Sequence, residues 1–284
     1  SNKIGAFFDY SIIIYMKLPK LDLPRFLNVR TDRRVKNPSA TVVMIHGIGN
    51  TADAWNDVIN ELPPDVRIIT VDLLGFGDSP KPTASYNVRV QARSIASTLV
   101  KQRLFQRVIL VGHSLGALIS IEIAKRYPYM VRGLILCSPP IYKNDSESSL
   151  ILSSDKILTK IYKVAAKDAK KKPEFYKKAA KIAKVAKITS PSFTVNDDTL
   201  PSYIKSLKSS IINQNSFDDI SKLKIPVHII YGRFAPLVVS GNLKDIAKNN
   251  DNITAQSINA MHEVTNTYTP KIIKNLEKML KTRE

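Results

Sequence analysis

From Thr41 onward the chain alternates short β-branched apolar runs with stretches whose apolar residues recur every three or four positions. That alternation predicts βαβ units around a parallel sheet, because buried parallel strands read as continuous apolar runs and their covering helices as one-sided ones. The strand candidates are Thr41–Ile45, Val66–Val71, Arg107–Val111, Val131–Leu136, Val227–Tyr231 and Ile253–Ile258. Helical spacing falls on Ala52–Leu62, Val88–Lys101, Leu115–Tyr127, Val239–Asn249 and Pro270–Lys281. Between Pro139 and Pro226 no convincing buried strand is read and helix formers dominate, so residues 139–221 are expected to form an inserted helical cap. The core would then comprise 1–138 and 222–284. Ahead of Thr41 the pattern is poor: Phe7–Leu18 reads as a strand pair, an amphipathic helix or both, and Pro19, Pro24 and Pro38 interrupt it.

The sharpest local signal is Gly112-His113-Ser114-Leu115-Gly116, directly after one apolar strand and directly before a helix. A serine at such a strand-to-helix turn is forced into a strained backbone, and glycines two residues to either side give the turn its room. Its hydroxyl then projects at the carboxyl end of the sheet, beside the positive end of a helix. A serine hydroxyl becomes a nucleophile only when a base takes its proton. Of the four histidines, His46 and His113 would flank the serine, and His228, inside a strand, reads as a packed core residue. His262 lies in the loop Asn259-Ala260-Met261-His262-Glu263, after the last strand and ahead of the final helix, which makes it the candidate base.

His46-Gly47-Ile48-Gly49 after the first strand, Asp72-Leu73-Leu74-Gly75-Phe76-Gly77-Asp78-Ser79 after the second and the serine turn after the third together resemble the α/β-hydrolase superfamily, from about Thr41 to the C-terminus. The resemblance implies an α/β-hydrolase fold: a mostly parallel central sheet flanked by helices, with a helical cap over the site. It also implies Ser114 as nucleophile, His262 as base, and the backbone N–H groups of Ile48 and Leu115 as the oxyanion hole. An aspartate or glutamate should follow the penultimate strand to orient the imidazole. In Tyr231-Gly232-Arg233-Phe234-Ala235-Pro236-Leu237 that place is held by Ala235.

Three accounts of Ala235 compete. An engineered aspartate-to-alanine change is favoured, because the flanking residues keep the look of a working acid loop. An acid supplied after the strand before the cap is a second, but Cys137-Ser138-Pro139 stands there, with Asp145 and Glu147 beyond. A natural pseudoenzyme is the third.

The expected activity is carboxylester hydrolysis on small to medium apolar acyl esters through an acyl-enzyme. Hydrolysis of a carbon–carbon bond or acyl transfer on the same machinery, and a non-catalytic ligand-binding protein, are the alternatives. Dehalogenase and epoxide hydrolase chemistry need a carboxylate nucleophile, which Ser114 is not. No cofactor or metal site is expected.

Charge changes the picture in one place. Of 43 lysines and arginines against 24 acids, net +19, lysines recur at 156, 160, 163, 167, 170 and 171, then at 177, 178, 181, 184 and 187, with Ile157, Ile161, Val164, Ile182 and Val185 on the other side. That is a cationic, amphipathic stretch, readable as a solvated face or as attraction to an anionic membrane surface or acidic substrate. With few aromatics to stack bases, nucleic acid is not an expected partner. Leu150, Ile151, Leu152, Ile157, Phe175, Phe193 and Tyr203 give this segment an apolar wall suited to acyl chains or to core contact. A single cysteine, Cys137, and no complete signal peptide at Ser1-Asn2-Lys3 favour a cytoplasmic protein, with an anchor ahead of Ser1 left open.

Overall fold

The computed structural model describes residues 25–143, 168, 171–174, 177, 178, 181 and 189–281. Seven strands form one sheet in the order β1-β3-β2-β4-β5-β6-β7. They are β1 (Val29–Arg33), β2 (Ala40–Ile45), β3 (Val66–Val71), β4 (Val108–His113), β5 (Val131–Cys137), β6 (Val227–Gly232) and β7 (Ile253–Ile258). All neighbours run parallel except β1, which lies antiparallel on β3. The six parallel strands match the apolar runs of the sequence to within two residues. β1 is an addition: its sequence Val-Arg-Thr-Asp-Arg is polar and half-buried, as suits an edge strand, and so carries no apolar run to read.

Side chains alternate through the sheet into two cores. Val43 and Ile45 of β2 and Leu110 of β4 enter one, with α2 (Val88–Lys101) and α3 (Leu115–Arg126). Val42, Met44, Ile109 and Val111 enter the other, with Trp55, the short α1 (Asn56–Glu61) and residues of the C-terminal helix Thr269–Lys281. The predicted helix over Ala52–Leu62 begins as a tight turn over Ala52–Trp55 before α1.

In the 139–221 segment, described helices are α4 (Leu200–Ser206), continued by a π-helical turn over Leu207–Ile212, and α5 (Ser216–Ile220). No strand occurs there among the described residues. Leu207, Ile211 and Ile220 join the first core, and Ser210 Oγ donates to the Tyr86 carbonyl at 3.1 Å. The lysine stripe lies mostly outside the described residues, as do Phe7–Leu18, Asp145 and Glu147. Of the stripe, Lys171, Lys178 and Lys181 are exposed, and Lys177 is held by Glu174 and by Asp197 at 2.7 Å. The chain ends in α6 (Ser240–Lys248), β7 and α7 (Thr269–Lys281). No helix among the described residues is long and apolar enough to cross a membrane.

Strand order reverses direction between β2 and β4, so the loops leaving their carboxyl ends diverge to opposite sides and leave a crevice, the usual ligand position in open α/β sheets. Gly116 lets α3 start against that crevice, because a Cβ there would stand 2.2 Å from the Ile45 carbonyl oxygen. A Cβ on Gly112 would in turn meet the Gly116 carbonyl oxygen at 2.5 Å. Since both obstacles are backbone, Gly116→Ala is expected to cost about 1–3 kcal/mol or more of stability; a denaturant midpoint equal to that of the unaltered chain would contradict this packing.

Candidate active site

Ser114 occupies the turn between β4 and α3 with φ 52° and ψ −115°. A positive φ at a side-chain-bearing residue is strained and persists only where its surroundings fix it. Here the fixing contacts are a hydrogen bond from the Ser114 N–H to the Cys137 carbonyl at 3.0 Å and the start of α3, whose Ala117 N–H donates to the Ser114 carbonyl at 3.0 Å. Ser114 is nearly buried.

The His262 Nε2 lies 3.0 Å from Ser114 Oγ, joining residues 148 positions apart. Desolvation, with the neighbouring His113 ring adding to it, pushes the His262 imidazole down to about 3. It therefore stands neutral, with a low affinity for a proton. Its Nδ1 is closed off from solvent and has no hydrogen-bond partner among the described residues.

Three side chains from three elements anchor the loop that carries His262. His113 Nε2 lies 2.9 Å from the His262 carbonyl oxygen, its ring centroid 5.1 Å from that of His262. Tyr268, at the entrance to α7, donates its hydroxyl to the Met261 carbonyl at 2.8 Å. Asn50 donates to the Glu263 carboxylate at 3.3 Å. The Tyr268 oxygen also lies 2.7 Å from Ser138 Oγ, which accepts from the Gly232 N–H at 3.4 Å. Because Tyr268 spends its proton on Met261, Ser138 must donate to it. Ser138 itself holds φ 45°. This buried chain ties together the ends of β5, β6 and β7.

Ala235 is buried in the turn after β6. That turn is stitched to the His262 loop: Arg233 N–H donates to the Ile258 carbonyl at 2.8 Å and Phe234 N–H to the Ala260 carbonyl at 3.1 Å. A Cβ on Gly232 would stand 2.2 Å from the Met261 carbonyl oxygen. Ala235 thus lies in a turn fastened to the loop that carries His262.

The His46–Gly49 loop lies against Ser114 from the other side. A Cβ on Gly47 would meet His113 Nδ1 at 2.9 Å and Ser114 Cβ at 3.3 Å. Ile48 follows in a half-buried turn, and Leu115 opens α3 directly after Ser114. His46 is structural: its Nε2 accepts from the Leu73 N–H at 2.9 Å, leaving Nδ1 to donate to the Gly47 carbonyl at 2.8 Å. Burial pushes His46 down to about 4 despite that carbonyl. Thr194 N–H donates to the Gly49 carbonyl at 2.7 Å, and the Phe193 ring lies where a Gly49 side chain would go, making an edge contact with Tyr203 at 6.3 Å. A cavity of about 430 Å³ opens beside Phe193, lined also by Lys177, Lys178 and Lys181.

One expectation is corrected. His228 is half-buried on the sheet, not packed in the core: its Nδ1 lies 2.7 Å from Thr254 Oγ1 on β7. Burial, then the Lys278 cation, lowers its affinity for a proton.

Two groups escaped the sequence reading. Asp72 in the Gly-rich loop is a hub, accepting from the N–H groups of Ala52 at 2.8 Å and Asp78 at 3.0 Å and from Asn28 at 2.9 Å, with Arg30 3.3 Å away. Burial works to raise its carboxyl, but these donors outweigh it and hold the group below the ordinary value. The run of glycines around it was the available signal. For Ser138 and Tyr268 no sequence signal exists beyond their positions at element ends.

The α/β hydrolase fold family is matched over residues 40–223, and the chain belongs to it. Among curated proteins, a probable lysophospholipase, BODYGUARD 4 of Arabidopsis thaliana, is 32% identical over 120 residues, 41% of this chain and 29% of that protein. The matched stretch therefore spans less than a third of that relative. An esterase (EaEST) from Exiguobacterium antarcticum superposes with TM-score 0.71 at 18% identity, covering 92% of this chain and 100% of that one. A thermophilic esterase from Thermogutta terrifontis gives 0.70 at 18%, covering 89% and 93%. At such identity the likeness establishes the fold.

Two outcomes follow from these contacts. His262, His46 and His228 all have folded proton affinities below the unfolded value near 6.5. The unfolded chain then takes up protons first, so stability is full above about pH 6.5 and is lost as pH falls. Between pH 7 and 4.5 the loss should be on the order of 5 kcal/mol, measured as the denaturant midpoint; a flat profile in that window would show the rings are not buried neutral. Tyr268→Phe strands the Met261 carbonyl and the Ser138 hydroxyl and should cost about 1–3 kcal/mol in the same assay.

Proposed function

We propose that this chain is a serine carboxylester hydrolase whose charge-relay partner is missing. The observation that carries the reading is the 3.0 Å contact between His262 Nε2 and the strained Ser114 Oγ. Ser114 attacks the ester carbonyl while His262 takes its proton. The developing oxyanion is received by the Ile48 and Leu115 N–H groups, the second at the positive end of α3. His262 then returns the proton to the leaving alcohol; water, giving its proton to His262, attacks the acyl-enzyme, and that proton passes to Ser114 Oγ as the acid leaves. The protonated ring formed midway is the costly species here. Its affinity for a proton is already depressed, and no carboxylate meets Nδ1 among the described residues. Loss of the acid from a triad lowers turnover by about 10⁴-fold while residual catalysis persists.

The substrate we favour is a small to medium apolar acyl ester, with Phe193 and Tyr203 as part of its wall. The probable lysophospholipase among the relatives supports hydrolysis of a carboxylic ester. The lysine-rich stretch would draw the protein toward an anionic surface carrying such substrates. Carbon–carbon bond hydrolysis and acyl transfer would use the same residues. The buried methyl at 235 and the unpartnered Nδ1 favour one reading of another class, a non-catalytic ligand-binding protein on this scaffold.

Ala235→Asp separates the two. It should raise turnover of short p-nitrophenyl esters by about 10³-fold or more, and a fluorophosphonate should label Ser114 in both forms and neither after Ser114→Ala. Silence toward esters and probe in both forms would leave the ligand-binding protein standing.

A further inference from the structure

A cationic cavity of about 430 Å³ adjoins the candidate site and takes no part in the chemistry above. One wall is helical: Glu174, Lys177, Lys178 and Lys181 recur at i, i+3, i+4 and i+7 and so share a face. Lys177 is neutralised by Glu174 and by Asp197 at 2.7 Å. Lys178 and Lys181 are exposed and make no ion pair among the described residues, which leaves two ammonium groups lining the cavity without a counter-charge. The other wall is Phe193, Thr194, Val195 and Asn196, and it is fastened to both halves of the candidate site. Thr194 N–H donates to the Gly49 carbonyl at 2.7 Å, and the Phe193 ring fills the place of a Gly49 side chain. Ser192 Oγ donates to Asn50 Oδ1 at 3.0 Å, and the Asn50 amide in turn donates to Glu263, beside His262. Asn196 N–H on Thr199 Oγ1 and Thr199 N–H on Asn196 Oδ1, both at 3.0 Å, brace the far end of that wall.

We propose that this cavity is a subsite for an acidic group carried by the ester substrate, a phosphate or carboxylate joined to an apolar portion that packs on Phe193. The inference deepens the hydrolase reading above and rests on it. Lys178 and Lys181 are helical neighbours, and like charges at that spacing repel; an oxyanion shared between them turns the repulsion into two attractions. Phe193 supplies the apolar half. Its ring lies against Gly49, two residues from Gly47, whose Cβ position is 3.3 Å from Ser114 Cβ. A ligand with its anion on the lysines can therefore run along Phe193 toward the loop that packs on Ser114, whereas a neutral ester fills the apolar part alone. Glu174 and Asp197, already paired with Lys177, repel further negative charge, so the fit is to one acidic group rather than to a polyanion.

The test compares two soluble esters on the full chain and on Ala235→Asp: the butyrate monoester of propanediol and the same ester phosphorylated at its free hydroxyl. The kcat/KM should favour the phosphorylated ester by about tenfold at low salt, the scale of two partly exposed ion pairs, and the preference should fade as salt is raised. Lys178→Ala with Lys181→Ala should abolish it. Lys222→Ala with Lys224→Ala removes the same charge from a second basic cavity, of about 500 Å³, at the far end of α3 from Ser114, and should leave the preference in place. As a readout free of turnover, the phosphorylated butyl ether of propanediol, which cannot be hydrolysed, should bind the unaltered chain about tenfold tighter than the Lys178/Lys181 variant in calorimetric titration. If both esters are hydrolysed through Ser114 without preference, or with one that survives the Lys178/Lys181 change, the subsite is overturned and the hydrolase reading stands. If neither ester is hydrolysed but the ether binds through the two lysines, the hydrolase reading falls and the cavity remains an anion site. Association with phosphatidylglycerol vesicles but not with the ether would assign the lysines to a membrane surface and overturn the proposal.

Discussion

The site depends on one hydrogen bond that has to be held across about half the chain, between Ser114 Oγ and His262 Nε2. Each end is fixed by a different means. At the serine the means is backbone strain: a positive φ clamped between the end of β4, the Cys137 carbonyl and the first turn of α3. At the histidine it is a set of hydrogen bonds to the main chain on either side of the ring, from Tyr268 and His113 to the Met261 and His262 carbonyls. The usual anchor, a carboxylate on Nδ1, has no counterpart among the described residues.

That division explains how the geometry survives without the acid. A triad carboxylate has two duties, to hold the ring and to stabilise its charge. Main-chain anchoring of the 260–263 loop takes over the first. It cannot take over the second, because the Ala260, Met261 and His262 carbonyls are engaged by Phe234, Tyr268 and His113, and the ring is left neutral with its proton affinity depressed. Placement of the ring and stabilisation of its charge are thus separated in this molecule.

The glycines around the serine serve close approach more than flexibility. Gly112, Gly116 and Gly232 each lie within 2.5 Å, at the Cβ position, of another segment's backbone oxygen. These contacts set the distances between β2, β4, α3 and the His262 loop, so the Ser114–His262 spacing is a by-product of main chains packed as tightly as they can be. The Asp72 hub does the same for the loop after β3, tying Ala52, Asp78, Asn28 and Arg30 to one buried carboxylate.

Apolar periodicity alone determined the six parallel strands and the helices between them, since strands buried on both faces leave continuous β-branched runs. The Gly-x-Ser-x-Gly string and the loop histidine near the C-terminus likewise pointed to Ser114 and His262, because such chemistry allows few residue types at few places. Ala235 was legible as an anomaly for the same reason. Only the tertiary structure decided which polar groups are satisfied and by whom. β1, polar and half-buried, owes its existence to pairing with β3; His228 is half-exposed because of where its strand sits; and the Ser138–Tyr268–Met261 chain joins residues remote in sequence whose types carry no pattern. Periodicity records which face of an element meets apolar surface, whereas a hydrogen bond between the ends of three strands exists only once the sheet has brought those ends together.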